Sequence, residues 1–219
     1  MNAAATPPVA LAKSLVFIFG LIPALLLWWN FRHDLLGADP IAAAQQESGR
    51  WALNFLLLTL CVSPLRTLTQ LHWLLRLRRM LGLFAFFYAA LHLWTFAGLD
   101  HAFRAYDMLR AIDRQPLIIA GLVALVLLLP LAATSNHYAI ARLGGRRWQE
   151  LHRAIYPAAL LACLHFLGMR ELAELPLPLS YSVFLGILLW WRIQERRRKA
   201  QPPAQSVTKP VHFYRQERK

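Results

Sequence analysis

The stretch Arg79-Met80-Leu81-Gly82-Leu83-Phe84-Ala85-Phe86-Phe87-Tyr88-Ala89-Ala90-Leu91-His92 opens on a cation and closes on a histidine, with only apolar or small residues between. The run continues without a charge to Leu99, so Met80–Leu99 is a block of 20 residues. As a helix rising about 1.5 Å per residue, such a block spans about 30 Å, the hydrocarbon thickness of a bilayer. It also carries an ionisable side chain within its apolar length. Intramembrane histidines are costly and face the interior of a bundle. This one segment therefore predicts both a membrane helix and an internal polar site.

Five similar blocks surround it: Leu15–Trp29, Trp51–Leu65, Leu117–Ala133, Ile155–Met169 and Leu177–Ile193. None alternates with the period of a strand, and only helices or closed barrels cross lipid. The fold class expected is all-α, an integral membrane bundle of six transmembrane helices. Of 219 residues, 58% are hydrophobic and 16% charged. A soluble domain carries about 45–50% apolar and about 25% charged residues, so a soluble enzyme is disfavoured. The first block can be read as a signal peptide or as an uncleaved helix. Trp28-Trp29-Asn30-Phe31-Arg32 follows it where a cleavage site would need small residues, which favours the helix.

The net charge of +13 invites a nucleic-acid reading. Its distribution gives a better one. The N-terminus, the 66–79 and 134–153 loops and the tail from Arg192 hold 18 of the 24 Lys and Arg, whereas the 30–50, 100–116 and 170–176 loops hold 6. The second set holds eight of the eleven acids. The positive-inside rule puts the first set, and both termini, in the cytoplasm. The domain plan is a cytoplasmic N-terminus (1–14), a six-helix membrane domain (15–193) and a basic, mobile cytoplasmic tail (194–219). The outer segment 100–115 is expected to form a short interfacial helix or a partner surface. The two cysteines form no CxxC motif, and GxGxxG and Walker motifs are absent.

His92 lies six residues before Gly98, about 9 Å from the outer end of its helix; His165 lies four before Met169, about 6 Å from the same side. At matching depth, two neutral imidazoles can clamp an iron macrocycle from both faces. The competing reading is two separate packing histidines. His152 lies thirteen residues below His165, about 19.5 Å along a helix. On an ideal helix the two occupy different faces, although Pro157 can bend it. His152 is open to several roles: an interfacial histidine, a second haem ligand, a propionate or flavin contact, or a quinone partner. Arg78-Arg79 and Arg146-Arg147 read as membrane anchors or as partners of propionate or phosphate. Gly82 and Gly168 read as points of close approach, and Tyr88 and Tyr156 as pocket or core aromatics.

The helix-three run quoted above, the segment Trp148-Gln149-Glu150-Leu151-His152-Arg153-Ala154-Ile155-Tyr156-Pro157 followed by His165, the link Leu131-Ala132-Ala133-Thr134-Ser135 and the earlier Ser63-Pro64-Leu65-Arg66 together carry a resemblance. In this order they resemble the MsrQ (YedZ) family, haem-binding membrane subunits within the ferric-reductase-like transmembrane group. The resemblance covers roughly residues 10–195. It implies haem b, with His92, His152 and His165 at the family's histidine positions, of which His92 and His165 are the iron ligands favoured here. It also implies FMN. The family passes electrons from the quinone pool, or from a cytosolic flavin reductase, to MsrP, a soluble periplasmic molybdopterin subunit that repairs methionine sulfoxide. The chain is then an inner-membrane electron-transfer subunit with no substrate chemistry of its own. Two alternatives compete: a ferric-reductase or oxidase-type cytochrome with a separate flavin donor chain, and a cofactor-free transporter or structural protein.

Overall fold

The computed structural model describes residues 9–200. It is all-helical, with nine α-helices among the described residues. These are α1 (Val9–Arg32), α2 (Pro40–Thr69), α3 (Leu75–Trp94), α4 (Ala105–Arg114), α5 (Ile118–Ala133), α6 (His137–Leu143), α7 (Gly145–His152), α8 (Ile155–Gly168) and α9 (Pro176–Ala200). Five stretches are long and apolar enough to cross a membrane: Val9–Arg32, Pro40–Thr69, His72–Asp100, Gly145–Gly168 and Pro176–Ala200. The fourth crossing is α5, whose 16 residues reach about 24 Å. The short α4 is bent 115° away from it. α4 therefore lies across the bundle end instead of lengthening the span, as an interfacial helix should. The protein is a multi-pass membrane protein.

Helix α2 packs most extensively against α3, and α5 against α8. The two pairs meet through α3 with α5 and α2 with α8, making a four-helix core. α1 lies on α2 and α3, and α9 on α8 and α2. Large side chains on α1 and α9 point outward, including Phe19, Trp28, Val183 and Trp190. Outward apolar surface is stable in lipid, where it needs no burial in protein. The core is built of Leu53, Phe55, Leu56, Phe84, Tyr88, Ala158, Ala159 and Leu185. Ala85, Ala158 and Ala159 are fully buried, and such small side chains let helix backbones approach closely. Buried hydroxyls are satisfied within their own helices: Ser48 donates to the Ala44 carbonyl at 2.8 Å and Thr59 to the Phe55 carbonyl at 2.7 Å.

Tyr88 fastens α1. Its ring stacks on Phe55 at 5.4 Å. Its hydroxyl accepts from the Ala24 amide at 3.0 Å and donates to the Gly20 carbonyl at 2.7 Å. In an unbroken helix that amide and that carbonyl would bond each other. The phenol is inserted into the α1 ladder, one of the recognised ways a helix accommodates a bend. Tyr88 is thus a core aromatic and does not line the cavity described below.

Several boundaries differ from the hydropathy reading. α2 begins at Pro40, eleven residues before the apolar block at Trp51. Asp39 caps it, accepting from the Ala42 amide at 2.9 Å, with Pro40 in the first turn. Those are strong helix-start signals, and they sit in a segment too polar for a hydropathy window. α1 begins at Val9 and α9 runs to Ala200, so both overrun the expected 15–193 domain. Residues 1–8 of the expected N-terminus and 201–219 of the expected tail lie outside the described residues. α7 and α8 are separated by a turn at Arg153 and Ala154. Pro157 has no amide to give the Arg153 carbonyl, which instead accepts from Tyr156 at 3.1 Å. The break therefore falls one turn before the proline.

Candidate functional site

His92 and His165 come together. Their ring centroids are 6.0 Å apart and their planes lie at 69°. Both line a cavity of about 270 Å³ among α2, α3, α5 and α8. Its walls are largely apolar, from Leu53, Leu56, Phe96, Leu125 and Leu128. Gln45, Arg50 and Arg170 supply its polar portion.

Each imidazole is held in the same way. His92 Nδ1 lies 2.8 Å from the Gln45 carbonyl oxygen, and His165 Nδ1 lies 2.9 Å from that of Leu117. A carbonyl only accepts, so Nδ1 carries the proton in both rings and Nε2 keeps its lone pair. One helical turn after each carbonyl stands a glycine against the ring. A Cβ on Gly49 would lie 3.0 Å from His92, and one on Gly121 would lie 3.0 Å from His165. Side chains at these positions would push the rings aside. The pattern of carbonyl at i and glycine at i+4 thus repeats on two helices, one for each histidine. A π-helical turn, Thr95–Asp100, follows α3 directly, and its first residue donates to the His92 carbonyl at 2.8 Å. π turns inside helices gather at functional sites.

The chemistry of the pair follows from the tautomer. Two Nε2 lone pairs in an apolar cavity can ligate a metal centre held between them. Hydrogen-bonding Nδ1 to a carbonyl orients the ring and raises the basicity of the ligating nitrogen. Among the described residues no group of three or more His, Cys, Asp or Glu is arranged for a bare ion. Two such nitrogens suit a metal whose equatorial ligands come from elsewhere, as in a macrocycle.

His152 is elsewhere, at the bundle end bearing α6 and α7, and is not a wall of this cavity. Its Nε2 lies 3.1 Å from Thr134 Oγ1. The Thr134 hydroxyl gives its proton to the Pro130 carbonyl at 2.6 Å, so His152 Nε2–H is the donor in this contact. Trp148 stacks on the His152 ring at 3.9 Å, and its indole N–H donates to the Thr134 carbonyl at 3.0 Å. The free nitrogen of His152 is Nδ1, the opposite of the pair above. Arg78 lies close enough to His152 for their charges to interact. Tyr156 lies beneath Arg192 and Arg196. Of the two glycines noted in the sequence, Gly168 packs against the Leu117 side chain and Gly82 meets Thr59 at ordinary contact distance.

The residues that sequence reading passed over are Gln45, Gly49, Arg50, Leu117, Gly121, Thr134 and Arg170. The first three lie on the early turns of α2, read as loop because they are polar. Their signal was the Asp39-Pro40 helix start.

Comparison with known proteins identifies the family. Residues 48–163 match the family described as "Ferric reductase like transmembrane component". Three similar proteins carry the name "Protein-methionine-sulfoxide reductase heme-binding subunit MsrQ". The one from Azospira oryzae is 47% identical over 212 residues, covering 94% of this chain and 90% of that protein. The one from Herminiimonas arsenicoxydans is 44% identical, covering 87% and 89%. The one from Xanthomonas euvesicatoria pv. vesicatoria is 42% identical, covering 88% and 94%. With matches of this extent along nearly the whole chain, in a helical membrane bundle, the chain belongs to the MsrQ family of ferric-reductase-like transmembrane proteins.

Proposed function

We propose that this chain is a haem b-carrying electron-transfer subunit of an inner membrane, with His92 and His165 as the two axial ligands. The observation that carries this reading is the pair of adjacent imidazoles, each with Nδ1 tied to a backbone carbonyl and Nε2 left without a protein partner. Their spacing fits the group. Two nitrogen–metal bonds of about 2 Å, plus about 1 Å from each nitrogen to its ring centre, put axial imidazole centres about 6 Å apart. The observed separation is 6.0 Å. The flanking Gly49 and Gly121 leave the rings room to hold their orientation. When bound, haem supplies a one-electron iron couple.

The chain's own part is positioning and tuning. The Gln45 and Leu117 carbonyls fix the ligand tautomer. Leu53, Leu56, Leu125 and Leu128 exclude water and lower the local dielectric, which affects potential. Arg50 and Arg170 are the cations on the cavity wall; each pairs with a nearby glutamate, Glu47 and Glu174, and would have to exchange that partner to meet the carboxylates of a porphyrin. In this reading the α4 end faces the periplasm, both termini are cytoplasmic, and 194–219 is a basic cytoplasmic tail. A soluble MsrP-like molybdopterin subunit docks at the α4 end, receives the electrons and carries out the sulfoxide chemistry. The donor is the quinone pool or a cytosolic flavin reductase, with FMN as a further carrier. The names of the related proteins, which describe heme-binding subunits of a methionine-sulfoxide reductase, support this assignment.

The test is the visible spectrum of detergent-purified protein, oxidised and dithionite-reduced, with haem quantitation. Sharp reduced bands in wild type, lost in His92→Ala and in His165→Ala, are expected. A colourless wild type from haem-replete cells would sink the reading and leave a cofactor-free membrane protein.

A further inference from the structure

A second hollow lies on the far side of α2 from the histidine pair. It is a groove of about 370 Å³ between α2 and α9, lined by Trp51, Asn54, Leu58 and Cys61 of one helix and by Tyr181 and Phe184 of the other. Spacings of three and four residues put the α2 members on one face of that helix. Leu58 and Phe184 are exposed, so the groove opens sideways, toward lipid. Leu53 and Leu56, between these positions in sequence, face the other way and wall the His92–His165 cavity. The Tyr181 ring meets Phe166 edge-on at 5.5 Å, and Phe166 is itself a wall of that cavity. The two hollows are thus one aromatic contact apart.

The polar chemistry of the groove is half satisfied. The Tyr181 hydroxyl donates to Asn54 Oδ1 at 2.7 Å, which leaves the Asn54 Nδ2 amide as a donor. Trp51 Nε1, one turn earlier on the same face, is another. Neither nitrogen has a hydrogen-bond partner among the described residues, and neither is sealed inside the protein. Asn54 stands three residues inside the apolar block that opens at Trp51. A donor at that depth is costly in lipid, where no water is at hand to accept from it. Polar side chains in membrane helices face the bundle or a site for a ligand. Two unanswered donors call for a ligand oxygen. The aromatic walls, Trp51, Tyr181 and Phe184, suit a flat ring, and the open side beside Leu58 suits a tail running into the bilayer.

We propose that this groove binds the head of a lipid-soluble quinone, with the Asn54 amide and the Trp51 indole donating to a ring carbonyl and the aromatic side chains lying against the ring. A phospholipid ester offers the carbonyl without the flat ring, and an acyl chain offers neither. Of the two donors named above, only the one dissolved in the membrane reaches a groove that opens into lipid. A place for this quinone in electron flow rests on the haem reading, with the Tyr181–Phe166 contact as the short way between the two hollows. Its binding does not, because no residue lines both the groove and the His92–His165 cavity.

The experiment titrates decylubiquinone into the full-length protein in mixed micelles of detergent and phosphatidylcholine, with the thermal unfolding midpoint as readout. Phospholipid is already in excess there, so a response means that the groove prefers the quinone head. Decylbenzene, which has a ring and a tail but no carbonyl, is the control. At about 100-fold excess over its Kd, a ligand bound only by the folded protein raises the midpoint by about 5–10 °C. Asn54→Leu and Trp51→Phe are each expected to weaken the apparent affinity about tenfold. Ser182→Ala, whose hydroxyl is paired within α9 and lies outside the groove, should leave it unchanged. Each variant is first checked for an unchanged ligand-free midpoint and visible spectrum, and Trp51→Phe, which keeps an aromatic ring against Phe55, decides alone if Asn54→Leu fails that check. A wild type that does not respond overturns the proposal, as does an equal response to decylbenzene, an equal loss in Ser182→Ala, or full affinity in the groove variants. A colourless protein that still binds the quinone sinks the haem reading and leaves this site standing; a haem-bearing protein that does not bind it does the reverse.

Discussion

The two histidine environments of this bundle are built to opposite rules. His92 and His165 give Nδ1–H to a backbone carbonyl of a neighbouring helix, rest on a glycine, and leave Nε2 in an apolar cavity. His152 gives Nε2–H to a side-chain hydroxyl, rests on an indole, and has one guanidinium, that of Arg78, nearby. The first environment is made of groups that cannot move without moving a helix. The second is made of side chains at a helix break. Rigid backbone support suits a ligand that must hold one orientation, because position is then fixed by the packing of α2 with α3 and of α5 with α8.

The largest effect that could break this contrast is loss of haem. His92→Ala and His165→Ala should each abolish the reduced bands, while His152→Ala should retain most of them. Equal loss in all three would show that the α6–α7 end contributes an iron ligand and would erase the distinction. Next in size are Gly49→Val and Gly121→Val. Their branched side chains must displace an imidazole that already lies 3.0 Å from where a Cβ would stand. A cost of about 1–3 kcal/mol is expected, read as a lower unfolding midpoint together with reduced haem per protein. Unchanged haem content in both would mean that the glycines are incidental.

Thr134→Val sharpens the comparison from the other side. It removes the acceptor of His152 Nε2–H and should cost about 1 kcal/mol in stability. The haem spectrum should not change, and an altered spectrum would couple the two ends. The smallest effect expected is that of Tyr88→Phe. Its hydroxyl is inserted between Ala24 and Gly20 of α1, and the helix can close its own bond once it leaves. The loss should be at most about 1 kcal/mol, seen as faster proteolysis at α1 with haem retained. A large loss of haem would make α1 a support of the cavity.

Much of this arrangement is legible in the sequence. Apolar block lengths give the number of crossings, because a bilayer demands a length of helix whatever its partners are. The depth of His92 and His165 follows from counting residues along those blocks, and the pairing expected from matching depth is found at 6.0 Å. The amphipathic segment after Asp100 is the short helix expected there. Hydropathy is blind at Pro40–Arg50, where α2 is already helical but polar. Gln45, Gly49 and Arg50 were hidden for that reason, although the Asp39-Pro40 start was in plain view.

What the sequence determined by itself is one-dimensional: how many helices cross, which ends carry the cations, and how deep each histidine lies. Tertiary structure alone decided which carbonyl receives each Nδ1–H, that Gly49 and Gly121 face imidazoles whereas Gly82 meets Thr59, and that Arg78 approaches Arg192 across 114 positions of sequence. The physical reason is rotation. Length and polarity are properties of each helix alone, but the face a helix presents is set by how its side chains interlock with its neighbours. A turn of one residue, about 100°, would leave every hydropathy block unchanged and would separate the two histidines.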